Sequence, residues 1–218
     1  MACHVSTLFH EELFCVSMFT MIKSFDQSVF WFINSHHNGF FDYFFSLATT
    51  LGTGWVIAPI LLFFIVKALP HAKRVSFILF SLIIMIASGI INSQFKHYFR
   101  TPRPAALFAD RQKAPSNFTR AETQPPSVNT VHVVGQRLMQ NSFPSGHSNT
   151  AFAAATLLAL RLGGIFWLAY PVACLVGYSR VYMGAHFPSD VIAGGLLGII
   201  IVWMGFILFT WVEKRKNN

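Results

Sequence analysis

Charge is what this sequence has least of. Only 11% of its 218 residues are Asp, Glu, Lys or Arg, where a water-soluble domain carries about a quarter. Acidic residues are the scarcest, eight against sixteen Lys and Arg, for a formal charge of +8. Cysteine is nearly absent as well. Cys3, Cys15 and Cys174 are too few and too scattered for a disulfide framework or a thiolate metal site. No internal repeat is visible, which excludes a solenoid. The first twenty residues lack a basic n-region and a small-residue cleavage site, so they do not read as a signal peptide. Met21 is a candidate alternative start codon.

Apolar residues take up the difference. They make up 54% of the chain, with 24 phenylalanines and a mean hydropathy of +0.51. The solvent for much of this protein is therefore lipid. Spanning about 30 Å of hydrocarbon takes about 20 apolar residues as helix. Five runs qualify: Tyr43–Val66, Val75–Phe95, Phe143–Leu160, Leu162–Ser179 and Val191–Val212. Ala87, Ser88 and Gly89, and Gly194, Gly195 and Gly198, are small enough to let helices approach closely. Upstream, Phe14, Met18, Met21, Phe25, Val29 and Phe32 recur at helical spacing. Glu11, Glu12, Lys23 and Asp26 interrupt that run, so residues 1–35 are expected to form an amphipathic helix at the membrane interface, with a sixth span as the alternative. The expected fold is an all-α polytopic bundle of five to six transmembrane helices. Residues 36–213 form its membrane domain and 214–218 a basic cytoplasmic tail.

One long polar segment, Lys96 to Ser142, separates the second and third spans. A loop of that length is often functional. Residues 105–143, with His132 and Arg137, are a candidate lid or head-group reader. Asn117-Phe118-Thr119 fits a glycosylation sequon, a weak signal at three residues.

Parity gathers the polar motifs. With five alternating spans, Lys96–Pro104, Pro144–His147 and Ser179–Asp190 all emerge on one side of the membrane. The other side carries Lys67, Lys73, Arg74, Arg161, Lys214, Arg215 and Lys216, as a cytoplasmic face should, but the motif side carries as many basic residues, so the count alone leaves the orientation open. The residues that converge are those a phosphate ester needs for hydrolysis. Lys96, Arg103 and Arg180 supply cations, the arginines in fork geometry. Ser145 is placed to cap the third apolar helix, and Gly146 permits close backbone approach. The N–H groups at that helix start form a phosphate cradle. His147 is then placed to protonate a leaving oxygen. His186 and Asp190 are four residues apart, so partial helical geometry would set the carboxylate on one ring nitrogen and make the other a better nucleophile. Helix caps and structural His–Asp pairs explain each motif singly, but not all three on one face.

Lys96-x6-Arg103-Pro104, Pro144-Ser145-Gly146-His147 and Ser179-Arg180-x5-His186-x3-Asp190 resemble the three signature motifs of the type 2 phosphatidic acid phosphatase superfamily. The resemblance runs from about Asp26 to Val212. It implies a membrane lipid phosphatase in which His186 attacks phosphorus, Asp190 supports it and His147 protonates the leaving group. Lys96, Arg103, Ser145, Gly146 and Arg180 would hold the phosphoryl oxygens. It implies no metal or other cofactor, and a site facing the periplasm or cell exterior from the inner membrane. A lipid phosphate in the bilayer is the expected partner, with undecaprenyl diphosphate as one substrate and phosphatidate, phosphatidylglycerol phosphate and lipid A phosphates as others. Vanadium haloperoxidases share the constellation but are soluble. A non-catalytic lipid-binding or transport protein would be expected to have lost a catalytic position. Nothing here resembles a nucleic-acid binder.

Overall fold

Backbone that crosses lipid must satisfy its own hydrogen bonds, and a helix does so within a single segment. In the computed structural model, which describes residues 21–109 and 130–217, every regular element is helical. A first helix, α1, covers residues 21–34. It is followed by α2 (Gly39–Thr50), α3 (Gly54–Ala68), α4 (His71–Phe99) and the short α5 (Pro104–Ala109). Then come α6 (Gly146–Leu162), a 3-10 turn at Gly164–Leu168, α7 (Ala169–Tyr182) and α8 (Pro188–Asn217).

Among the described residues, three segments are long and apolar enough to cross a membrane: His71–Ala109, Gly164–Tyr182 and Pro188–Lys216. The run Tyr43–Val66, expected as one span, is two helices bent by 60° between α2 and α3, and makes a fourth crossing if the pair is counted together. The break has a local cause. Thr50 and Thr53 turn their hydroxyls back onto the carbonyls of Leu47 and Thr50. Leu51, Gly52 and Thr53 close tight i to i−3 turns. Gly52 then lies where a Cβ would fall 2.5 Å from Val176 Cγ1 and 3.1 Å from His147 Cβ.

The expected third span is α6, only 17 residues long, or about 26 Å of helix. It is the centre of the bundle, touching α3, α4, α7 and α8. Ala151, Ala153, Ala154, Ala155, Leu157 and Ala159 are all buried. Its alanines leave room for those neighbours, so α6 faces protein where the longer spans face lipid. Gly194 and Gly198 bring the α8 backbone against its first turns. A Cβ on either would lie 2.3 Å from Ser145 O or 2.4 Å from Asn149 O. Gly89, by contrast, points into open space. At the far end Arg161 pairs with Glu213 at 3.4 Å and lies over the Phe77 ring.

Helix α1 docks on the end of the bundle that carries the polar motifs. Phe30 is fully buried among Trp31, Phe108, Phe187, Val131 and Val181. Met21, Ile22, Phe25 and Phe32 are exposed. Residues 1–20, and with them the start-codon question, lie outside the described residues, as does the sequon at Asn117.

Candidate active site

Each of the three motifs sits at a helix end, and a short strap of backbone ties them together. Lys96 is in the last turn of α4, which stops at Arg100 in the left-handed conformation, φ 46°. Pro104 then opens α5, so Arg103 stands on the two-turn corner between them. Arg180 is in the last turn of α7, and His186 follows in the loop before α8. Asp190 is in the first turn of α8.

Residues 139–145 run past all of these. The Arg103 amide donates to Met139 O, and its guanidinium to Gln140 O (2.9 Å), Asn141 O (3.5 Å) and Ala185 O (3.0 Å). Lys96 Nζ donates to Asn141 O at 2.9 Å. The Ser142 and Phe143 amides donate to Thr101 O and Thr101 Oγ1. The Ser145 amide donates to Asp190 O at 2.9 Å. Chain segments separated by tens of residues are thus held in register through backbone groups.

Within this frame Arg103 is 8% exposed, His186 2% and Asp190 4%. Arg103 Nη1 lies 3.5 Å from His186 Nε2. Lys96, Arg103 and Arg180 are near enough for their charges to act on one another and on His147. Arg180 Nη1 donates to Thr49 Oγ1, while its buried Nε has no partner. A buried guanidinium N–H left unpaired among other cations is a donor suited to an anion. Burial holds the His186 imidazole below the usual histidine range, to about 4; Asp190 opposes this, and Arg103 and Arg180 add to it. The ring is therefore neutral near pH 7, as a nucleophile must be.

Asp190 does sit beside His186, though not through a helical i, i+4 turn. Helix α8 begins only at Pro188, and Asp190 Oδ2 reaches back to the Phe187 amide at 2.9 Å, in the manner of a capping box. The same oxygen is 3.5 Å from His186 Nδ1 and accepts from Ser142 Oγ at 2.5 Å. The next orphan amide of α8, Ser189 N, is satisfied from another helix. Asp26 of α1 accepts from it at 2.8 Å and from Ser189 Oγ at 2.7 Å.

Ser145 differs from the expectation. It is the N-cap residue of α6 by position, but its hydroxyl makes no capping bond and instead accepts from Ser148 Oγ at 3.1 Å. The reason is the Asp190 contact, which turns the Ser145 backbone toward α8. The amides of Gly146, His147 and Ser148 come next and have no carbonyl four residues back within the helix. A Cβ on Gly146 would make only ordinary contacts, 3.6 Å to Asn92 and 3.9 Å to Lys96. Its neighbours therefore do not crowd it.

Sequence reasoning did not find Thr49, Gly52, Thr101 or Ser142, small residues with no charge or motif to mark them. It offered His132 as part of a lid or head-group reader, and in the structure the residue is tied to α1 and α2. His132 Nε2 pairs with Asp42 at 2.9 Å, its backbone is clasped by Asn34, and its ring stacks on His37 at 3.9 Å. Arg137 is exposed. Residues 110–129 of that segment lie outside the described residues.

Comparison with known proteins agrees with this geometry. Residues 75–216 match the family model described as the PAP2 superfamily. The undecaprenyl-diphosphatase BcrC of Bacillus subtilis is 26% identical over 84% of this chain and 80% of its own. A lipid A 4'-phosphatase of Porphyromonas gingivalis is 26% identical over 87% of this chain and 75% of its own. Other matches are closer but shorter, and the chain spans only 16% and 44% of two such curated relatives. Among solved structures, Aquifex aeolicus LpxE superposes with a TM-score of 0.62 at 28% identity, over 83% of this chain and 93% of that one. With its three motifs joined at one end of a helical bundle and a family match across most of its length, this chain belongs to the PAP2 superfamily.

Proposed function

We propose that the protein is a membrane lipid phosphatase that works through a phosphohistidine. Neutral His186 attacks phosphorus through Nε2, forming an N–P bond as the ester or anhydride P–O bond breaks. His147, taking up a proton once the substrate's negative charge lies among the cations, gives that proton to the departing oxygen. Water then attacks the phosphohistidine with His147 as base, the N–P bond breaks, and inorganic phosphate leaves. Lys96, Arg103, Arg180 and the first-turn amides of α6 hold charge that spreads over the phosphoryl oxygens. The observation that carries this reading is buried His186 with its Nε2 facing the buried Arg103 guanidinium at 3.5 Å, beside the half-buried Lys96 and Arg180.

The setting favours a lipid leaving group. Apolar grooves of about 410 and 420 Å3 flank α3, one including Leu51 and Val176, the other Gly54 and Thr150. A Cβ on Gly52 would fall 3.1 Å from His147 Cβ, and its neighbours Leu51 and Gly54 line these grooves, which supports an apolar approach close to the proton donor. Relatives named for undecaprenyl diphosphate and for lipid A support a lipid mono- or diphosphate as substrate. The basic residues at the far end support a site facing away from the cytoplasm. The exposed apolar side chains of α1 support its lying in the interface.

The test is phosphate release by detergent-purified protein from undecaprenyl diphosphate, phosphatidate, phosphatidylglycerol phosphate and lipid A, alongside His186→Ala. Activity lost in the variant is expected, with an acid-labile, alkali-stable phosphoenzyme trapped from the wild type. Undiminished release by His186→Ala would overturn the mechanism. Lipid binding by the folded wild type with no release would point to a carrier on this scaffold.

A further inference from the structure

We infer that Ser142 is a positioning residue for the reaction, fixing the tautomer of His186 and the angle of Asp190. The inference builds on His186 as nucleophile, and it starts from proton counting. Ser142 is fully buried. Its hydroxyl has one proton, and Asp190 Oδ2, a carboxylate oxygen that can only accept, lies 2.5 Å away. With that proton committed, the Ser142 oxygen can only accept from its other neighbour, His186 Nδ1, at 3.4 Å. Nδ1 must then carry hydrogen. On the far side of the ring Arg103, a donor with no acceptor capacity, faces Nε2 at 3.5 Å. Both contacts require the same tautomer: hydrogen on Nδ1, a lone pair on Nε2 aimed at the cation cluster.

Asp190 alone would specify this less well. Its Oδ2 is 3.5 Å from Nδ1 and is shared with the Phe187 amide. Ser142 reaches both partners from a fixed backbone, because its own amide is held by Thr101 O and the next by Thr101 Oγ1. When Nε2 bonds to phosphorus the ring becomes cationic and keeps its Nδ1 proton. The Ser142–Asp190 pair is then the acceptor set for that charge, and contacts of this length tighten as it develops.

The test is Ser142→Ala, with Ser142→Thr as the hydroxyl-retaining control. A hydrogen bond to a charged group that strengthens in the transition state is worth about ten- to a hundred-fold in rate. The expected result is a kcat lowered by about that factor in Ser142→Ala, an unchanged inhibition constant for inorganic phosphate, and partial recovery in Ser142→Thr. A kcat within twofold of wild type overturns the inference. So does a parallel loss of kcat and phosphate affinity in a folded protein, which marks a structural role. Should Ser142→Ala not fold, 15N spectra of wild-type imidazoles decide: an Nδ1–H signal for His186 supports the assignment and an Nε2–H signal refutes it. Activity that survives His186→Ala would remove the underlying reading, whereas dependence on His186 without dependence on Ser142 removes this inference alone.

Discussion

Gly194→Ala and Gly89→Ala add the same single carbon to transmembrane helices and should have opposite consequences. At Gly194 the new Cβ would lie 2.3 Å from Ser145 O and 3.1 Å from Ser145 C and N. A carbon and a carbonyl oxygen sit comfortably at about 3.3–3.6 Å, so the shortfall is about 1 Å. The obstructing atoms are backbone, with no rotamer to yield. The start of α8 must therefore retreat from the start of α6 by most of that distance. His147 stands in the first turn of α6 and His186 in the loop that leads into α8, so the two histidines would be displaced relative to one another. A displacement of about 1 Å at a reacting centre costs about a hundred-fold in rate, and overpacking costs about 1–3 kcal/mol of stability. At Gly89 a Cβ meets nothing within 4 Å, and replacing a mid-helix glycine favours the helix by up to about 1 kcal/mol. The assay is phosphate release at saturating lipid, with thermal unfolding followed on the same preparations. Gly194→Ala with activity and unfolding temperature unchanged, or Gly89→Ala with an equal loss, would refute the packing argument.

The acid limb of kcat/KM, which reports the free enzyme, should reflect His186. Protonation destroys the nucleophile, and burial sets its value at about 4. Activity should thus hold as pH falls through 6.5 and drop near 4; an acid limb at 6.5 would count against a buried neutral imidazole. Arg103→Lys replaces a fork that spans the carbonyls of Gln140, Asn141 and Ala185 with a point charge. A loss of at least a hundred-fold in kcat/KM is expected, and retention of activity would show that charge alone suffices. Asp26→Ala removes both acceptors of Ser189 and should cost about 1–2 kcal/mol of stability, read as a lowered unfolding temperature. Asp26→Asn, which keeps one acceptor, should fall between it and wild type.

The long helices and the three polar motifs were legible because each leaves a one-dimensional trace. Long apolar runs must be helical in lipid, and Lys, Arg, His and Asp are conspicuous beside them. The bend between α2 and α3 was not legible. Leu51-Gly52-Thr53 reads as unremarkable apolar helix; its break joins the tight turns closed there with the fit of Gly52 against His147 and Val176, residues distant in the chain. Ser145 looked like a helix cap from its neighbours in sequence, but its orientation is decided by Asp190. Ser142 and Thr101 matter through backbone and hydroxyl contacts that no composition or spacing reveals. The contacts of His132 were hidden for the converse reason: a histidine in a polar loop looks chemical, while Asp42 and Asn34 on helices and His37 between them are brought near only by folding.

The strap of residues 139–145 has a consequence for the end of the catalytic cycle. Its carbonyls accept from Lys96 and Arg103, so two of the three cations are set in place by the fold itself. A phosphoryl group enters a socket that has little left to arrange. Inorganic phosphate, the last product, carries the same tetrahedron of oxygens and meets the same socket, with no hydrocarbon to draw it back into the bilayer. On the proposed mechanism its departure is the step that preorganisation slows, and added inorganic phosphate would act as a brake on the reaction.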